Sequence, residues 1–376
     1  MRARLVLAAS LAFAVAPARD AAARAQEPAK ASEARPAPRP SAPRRAAAVA
    51  ASVVPGFAAL GAGHYVLGDP RTGSRLLIME GAGLGAAGIG GLSLFLTGAS
   101  RYVVAPLALL TIAGAGLFTV SWLADIYGTA AGPEGTGIPL LLAPRLETEL
   151  GYRYVYDPQF SYRNFAVYGF DLRYQALALE PSAFIGLDDG NARYRLLGGY
   201  RLFGARPAPA APARDGSRLD LQAAVTHHRY DSDGFNTFTL EAAVDGRIDL
   251  ERWAPALRGS FADFGAGAAL QAYDYDVPGL ELGTDIEQLL LARFGFGIYL
   301  GDPATRGGEV VFYYDHRHDD FAAGLKLTGL GSGIPGHFGV EARYYPMKDF
   351  GFLLEAQAGS AYVTGISLLY RVGRLR

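Results

Sequence analysis

The feature that most constrains this chain is a change of period. From Leu140 onward, polar and apolar residues alternate at every second position, segment after segment, as far as Val372. Leu146, Thr148, Leu150, Tyr152, Tyr154 and Tyr156 alternate with Glu147, Glu149, Gly151, Arg153 and Val155. Phe238, Leu240, Ala242 and Val244 alternate with Thr239, Glu241, Ala243 and Asp245. Period two belongs to a β-strand whose faces meet different surroundings. Turn signals divide the stretch into about twelve segments, near 141–156, 163–177, 181–188, 192–204, 218–231, 236–249, 258–273, 287–301, 307–316, 336–346, 350–359 and 361–372. An apolar face repeated over so many strands needs either a second sheet to cover it or a lipid environment around a closed barrel.

Composition favours lipid. Only 19% of the residues are charged, against ~25% in ordinary soluble domains, while the chain carries 48 glycines, 21 tyrosines and 20 phenylalanines. The expected fold is mainly β: an antiparallel transmembrane β-barrel of about twelve strands, preceded by a two-helix apolar hairpin. The absence of cysteine excludes disulfides, thiolate metal sites, a cysteine nucleophile and a lipid-modified cysteine. A formal net charge of −1 gives no reason to expect nucleic acid as a partner.

The N-terminus reads as a signal peptide over residues 1–25. Arg2 and Arg4 precede a short apolar run at residues 5–15, and Ala23-Arg24-Ala25 offers a cleavage site. Residues 26–50 are rich in Ala, Pro and Arg and poor in large apolar side chains, so a disordered linker is expected there. Residues 51–127 form the expected hairpin. Two apolar runs, 76–96 and 102–124, are each long enough to cross ~30 Å of hydrocarbon, and between them they carry one charge, Glu80. Gly81, Gly83, Gly85, Gly88, Gly90 and Gly91 in the first run, with Gly114 and Gly116 in the second, predict close helix packing. Residues 128–139 are a linker and 140–376 the barrel. The joining segment, Asp125 to Pro139, is too short to cross the periplasm even when extended to ~50 Å. Hairpin and barrel are therefore expected side by side in one bilayer, with Glu80 turned toward the barrel or a water-accessible surface.

Pro55-Gly56, then Gly63-His64-Tyr65-Val66-Leu67-Gly68, then Gly73 resembles the TM2-type two-helix membrane module, which implies a helical hairpin. The β region resembles a bacterial outer-membrane barrel, and Tyr362 to Val372 its closing strand, although the chain ends in Arg374-Leu375-Arg376. That resemblance implies residence in the outer membrane after export, with outer-membrane lipid, lipopolysaccharide and the barrel assembly machinery as partners, and an envelope protein partner through the hairpin. It further implies a structural, envelope-assembly or narrow-pore role without enzymatic activity or a cofactor. An acidic set of connections, including Asp188-Asp189-Gly190-Asn191 and Asp231-Ser232-Asp233-Gly234, would face outward. Leu179-Glu180-Pro181 and Pro346-Met347-Lys348-Asp349 would be inner turns, and Tyr344, Tyr345 and Phe350 part of an inner aromatic girdle.

Glu149, Arg173, Arg195, Asp220, Glu241, Arg293 and Glu341 fall at polar positions of the alternation and would line the lumen. His316 and His318 share a strand face and are weak metal or loop candidates beside Asp315, Asp319 and Asp320. His228 and Ser232 invite comparison with barrel lipid hydrolases, but their spacing departs from the tighter His-x-Ser arrangement of that family. A third arrangement would place the hairpin in the inner membrane, carrying a periplasmic β-domain.

Overall fold

In the computed structural model, residues 40–372 are described, except 60, 99, 101, 133, 140–144, 158–162, 205–214, 232–233, 276–284, 303–305 and 318–335. The signal peptide, most of the linker and the last four residues thus lie outside the described residues. Four helices come first: α1 (Ala42–Val53), α2 (Ala62–Leu67), α3 (Pro70–Leu96) and α4 (Val104–Ala131). Twelve strands follow: β1 (Leu146–Tyr156), β2 (Asn164–Tyr174), β3 (Leu177–Gly186), β4 (Ala192–Gly204), β5 (Arg218–Arg229), β6 (Phe235–Asp249), β7 (Ser260–Tyr275), β8 (Asp285–Asp302), β9 (Arg306–Asp315), β10 (His337–Tyr345), β11 (Phe350–Ala358) and β12 (Tyr362–Val372). Each pairs antiparallel with its neighbours in sequence, and β1 pairs with β12 from Leu146↔Val372 to Tyr156↔Tyr362, closing the barrel. Closure leaves no unpaired edge, which a membrane-spanning sheet requires.

Parity decides which way each side chain points. On β1, Leu150, Tyr152 and Tyr156 are exposed on the outer wall, while Glu147 and Val155 are buried inside. The outer wall continues with exposed Leu196, Val225, Leu240, Leu270, Val340, Phe352, Leu354, Ile366 and Leu368. A surface this apolar is a lipid-facing one. The long connections, 276–284 and 316–336, lie at the end opposite the two termini. The connections beside the termini include the two-residue link 175–176 and the four-residue link 346–349. Short turns beside the termini and long loops opposite them are the usual arrangement in bacterial barrels, from which this chain departs at the long inner connections 205–217 and 250–259 and at the three-residue outer turn 359–361.

Several local expectations need correction. The turn between β2 and β3 is at Gln175–Ala176, where Gln175 has φ 54, and not at Leu179-Glu180-Pro181. Pro181 lies within β3. The β2–β3 ladder passes from Gly169↔Ser182 to Leu172↔Leu179 without pairing Pro181, which has no N–H to donate. The expected linker gives way to helix at Ala42: Pro43 stands in the first turn of α1 and an alanine-rich run follows. Tyr345 points into the barrel and is buried, so Tyr344 alone of that pair belongs to the outer girdle.

The helical module sits on the outer wall. Along α3 and α4 the backbones touch: a Cβ on Gly114 would lie 2.6 Å from the Gly83 carbonyl oxygen, and one on Gly90 would lie 2.9 Å from the Leu107 carbonyl. The glycines buy this approach. α4 packs in turn on β8, where a Cβ on Gly116 would meet the ring of Phe294 at 2.7 Å. Val120, Ala124 and Tyr127 of α4 join Leu76 of α3, Phe296 of β8, and Leu250, Ala254 and Leu257 of the β6–β7 connection in one buried cluster. Phe294 and Phe296 occupy outward positions on β8 yet are only 9% and 8% exposed, because α4 covers them. The free face of the hairpin shows Leu77, Ile78, Leu84, Ile89, Leu92 and Phe95, the same apolar character as the barrel wall.

From α4 the chain returns under the inner end of the barrel. Gly137 bridges to Gly301 at the end of β8, and the Thr136 hydroxyl donates to the Tyr299 carbonyl at 2.7 Å. Tyr127 donates to the Arg258 carbonyl at 2.8 Å, fastening α4 to the β6–β7 connection. β1 lies five strands round the closed barrel from β8.

Inside the module, Asp125 of α4 accepts hydrogen bonds from the amides of Gly63 and His64 at 3.1 and 3.2 Å, and pairs with His64 Nδ1 at 2.5 Å. This carboxylate caps the start of α2 from another helix. Glu80 does not reach water: it is fully buried, its two oxygens have no hydrogen-bond partner among the described residues, and Asp125 is near enough to act on it electrostatically. An unpartnered carboxylate in such a place stabilises nothing. Glu80→Gln, which keeps the shape, should leave the unfolding midpoint of the module unchanged or raise it. Asp125→Ala, which uncaps α2 and strands His64, should accelerate hydrogen exchange across residues 62–68.

Candidate functional site

The inward-facing side chains form a charged lining bridged from wall to wall. Arg247 of β6 bonds Asp263 of β7 at 2.7 Å and Glu309 of β9, three strands away, also at 2.7 Å. Its guanidinium lies 3.7 Å from the Phe261 ring centroid. Arg317, two residues past β9, turns inward and holds Glu241 of β6 through two bonds of 2.9 and 2.8 Å, and Arg195 of β4 reaches the same carboxylate at 2.9 Å. Glu147 of β1 receives Arg371 at 2.7 Å, Arg343 at 3.1 Å and the Tyr345 hydroxyl at 2.8 Å. Arg153 of β1 pairs with Glu355 of β11. The cations lining the described lumen are all arginines. Their planar forks engage two acceptors at once, which a lysine ammonium cannot match.

Between these bridges lies a cavity of about 580 Å³. That is the size of a small-molecule pocket, far narrower than the lumen of a wide porin. Apolar side chains narrow the rest of the interior. Val155, Phe165, Ala361 and Val363 cluster toward the loop end, and Phe261, Tyr299, Val311 and Tyr313 form a second group.

Glu149, Arg173, Arg195, Asp220, Glu241, Arg293 and Glu341 all line this cavity. The structure brings Arg195 and Glu241 together directly. It pairs Arg173 with Asp171 at 2.5 Å and Asp220 with Arg201 at 2.7 Å, and sets Glu341 3.6 Å from Arg343. Glu149 accepts from Ser367 at 2.6 Å, and Arg293 stacks 4.4 Å from the Tyr313 ring centroid. Arg247, Glu309, Glu147 and Arg371 escaped the sequence reading, although their parity within the strands carried the same signal. Arg317 carried none, because it lies past the end of its strand.

The remaining candidates separate. His316 pairs through Nδ1 with the Tyr314 hydroxyl at 2.8 Å, while His318 lies outside the described residues. No group of three histidine or carboxylate side chains is placed to hold a metal among the described residues. His228 is buried in the lumen wall, with Nε2 2.9 Å from the Asn191 side-chain oxygen and its ring stacked 3.9 Å from that of Tyr230. Ser232 lies outside the described residues.

No protein-family model matches the chain, and no curated protein matches it. Among solved structures, the outer membrane protein Omp33 of Acinetobacter baumannii is similar at 11% identity and a TM-score of 0.30, covering 62% of this chain and 100% of that one. The KdgM porin is similar at 8% identity and a TM-score of 0.35 over 60% of this chain and 99% of that one. The NanC porin is similar at 9% identity and a TM-score of 0.32 over 60% and 100%. Likeness at this level adds nothing to the strand-by-strand register. On that register, the chain is a closed twelve-stranded antiparallel barrel of outer-membrane architecture, with a helical hairpin docked on its outer wall.

Proposed function

We propose that this protein resides in the bacterial outer membrane, after export and insertion by the barrel assembly machinery, and forms a narrow passage for small ions and solutes. The observation that carries this reading is the charged cavity of about 580 Å³, spanned by arginine–carboxylate bridges. Polar walls admit water and ions, while the bridges restrict what fits between them. The reading is of a non-enzymatic role, because the His-x-x-x-Ser spacing of His228 and Ser232 departs from the tighter His-x-Ser arrangement of barrel lipid hydrolases.

Planar-bilayer recording of the purified protein tests this. Small, discrete conductance steps are expected. Glu241→Gln removes the negative charge shared by Arg195 and Arg317 and loosens both bridges, so it should raise the conductance severalfold and shift selectivity toward anions. A protein silent at every voltage, before and after that substitution, is not a pore.

A further inference from the structure

We propose that the outer wall of the barrel carries a binding site for one glycerophospholipid, with the lipid phosphate on Arg145 and an acyl chain in the groove between Tyr174 and Tyr200. The inference rests on the reading of the barrel as membrane-spanning and extends it to a defined lipid contact.

The groove lies on β2 to β5 at the inner end of the barrel, has a volume of about 770 Å³, and is lined by Leu172, Leu179 and Leu221 between the two tyrosines. Its floor is low because of register. Leu179 stands opposite Gly198, Gly198 opposite Ala223, Ala223 opposite Ala242, and Ala242 opposite Ala268. These outward positions form one row across the wall, so a shallow trough of glycine and alanine runs between rows of larger side chains. On one side stand Leu196, Val225 and Leu240, and on the other Tyr200, Leu221 and Val244. A flexible hydrocarbon chain can follow such a trough, whereas a helix of ~10 Å diameter is too broad to enter it.

Charge identifies the other end of the ligand. Arg145 borders the groove, is exposed, and makes no ion pair with a described residue. Among the described residues, Arg173 and Arg201 on the neighbouring strands pair inside the barrel with carboxylates, and Arg252 in the β6–β7 connection pairs with Asp215. Arg145 therefore offers a guanidinium with no ion partner among the described residues where the apolar wall meets water, beside Tyr174 and Tyr200. Interfacial tyrosines mark the headgroup layer, and arginine binds phosphate oxygens through its fork. A ligand with phosphate at that level and hydrocarbon running from it toward the membrane centre is a phospholipid of the inner leaflet.

Native mass spectrometry of the full chain in detergent tests the site, with phosphatidylglycerol, a diacylglycerol of the same chains, and inorganic phosphate as separate probes. The expected result is one retained phosphatidylglycerol per chain, with diacylglycerol and phosphate each held much more weakly. Arg145→Glu should reduce retention at least about fivefold. Gly198→Leu should reduce it similarly by filling the trough. A Cβ there meets only the Ala223 carbonyl oxygen, at 3.9 Å, so the wall need not shift. Unshifted heat-dependent gel migration checks that both variants keep the barrel. Wild-type retention in both variants, or diacylglycerol bound as well as phosphatidylglycerol, overturns the site. Because the assay uses purified protein, a wrong assignment of the membrane in the cell would leave its outcome unchanged, and the two failures can be told apart.

Discussion

Replacing Arg247 with methionine should destabilise the barrel by about 3–5 kcal/mol, because it leaves Asp263 and Glu309 as buried carboxylates without their shared cation. Arg247 is only 6% exposed and the two acids 11% and 17%, so water compensates poorly for its loss. The methionine keeps much of the side-chain volume over Phe261, which confines the loss to charge and hydrogen bonding. The expected readout is a lower denaturant midpoint for conversion of the compact gel band to the unfolded one. The control is Arg252→Met. Arg252 pairs with Asp215 in the water-exposed inner connections, where the partners are 54% and 38% exposed. Screening there limits the loss to under ~1 kcal/mol. A further variant, with Asp263 and Glu309 also made apolar, should recover most of the stability lost in Arg247→Met, since the penalty comes from the stranded charges and not from the missing bonds. Equal effects at Arg247 and Arg252 would mean that the lumen is wetter than its packing indicates.

Gly114→Leu should separate the hairpin. A Cβ at that position would lie 2.3 Å from the Ala87 amide nitrogen and 2.6 Å from the Gly83 carbonyl oxygen. Both obstacles are backbone, so no side chain can swing away, and α3 and α4 must move apart by ångströms. The barrel itself should survive, because its closure depends on strand pairing alone. Gly81→Leu, on the same helix pair, meets nothing within 4 Å and should be tolerated. The absence of cysteine allows a direct readout. A Cβ at position 116 would lie 2.9 Å from the Phe294 Cβ, closer than the ~3.8 Å typical of a disulfide, so a shift of about 1 Å between α4 and β8 brings the pair to bonding geometry. Gly116→Cys with Phe294→Cys should therefore cross-link on oxidation. Adding Gly114→Leu should abolish the cross-link, whereas adding Gly81→Leu should spare it.

Much of the barrel was legible because period-two alternation and turn residues are local signals. β4 was placed at 192–204 from sequence alone and β12 within one residue of its observed start. The β2–β3 turn was misplaced because Leu179-Glu180-Pro181 carries a stronger turn signal than Gln175-Ala176. A proline is tolerated in β3 because one hydrogen-bonding partner is given up there. α1 was hidden by composition: an alanine- and arginine-rich run buries little by itself, and what holds it is the contact of Ser52 with Thr129 and the bond from Trp122 to the Ser52 carbonyl. The lining residues could be named one at a time from parity, but not their pairing. Arg247 meets Glu309, and Arg317 meets Glu241, only because the sheet curls until strands three apart face each other. The hairpin could be confined to the neighbourhood of the barrel by the length of its tether. Its seat on β8 depends on Phe294 and Phe296, which in sequence look like any other lipid-facing aromatics.

The most direct test of the account is to separate the two envelope membranes by density and follow the intact protein by gel migration with and without heating. The account predicts that it sediments with the outer membrane and runs faster unheated than boiled, with the hairpin retained in the same fraction. Recovery with the inner membrane, with the β region released as a soluble fragment by protease and no shift on heating, would contradict it.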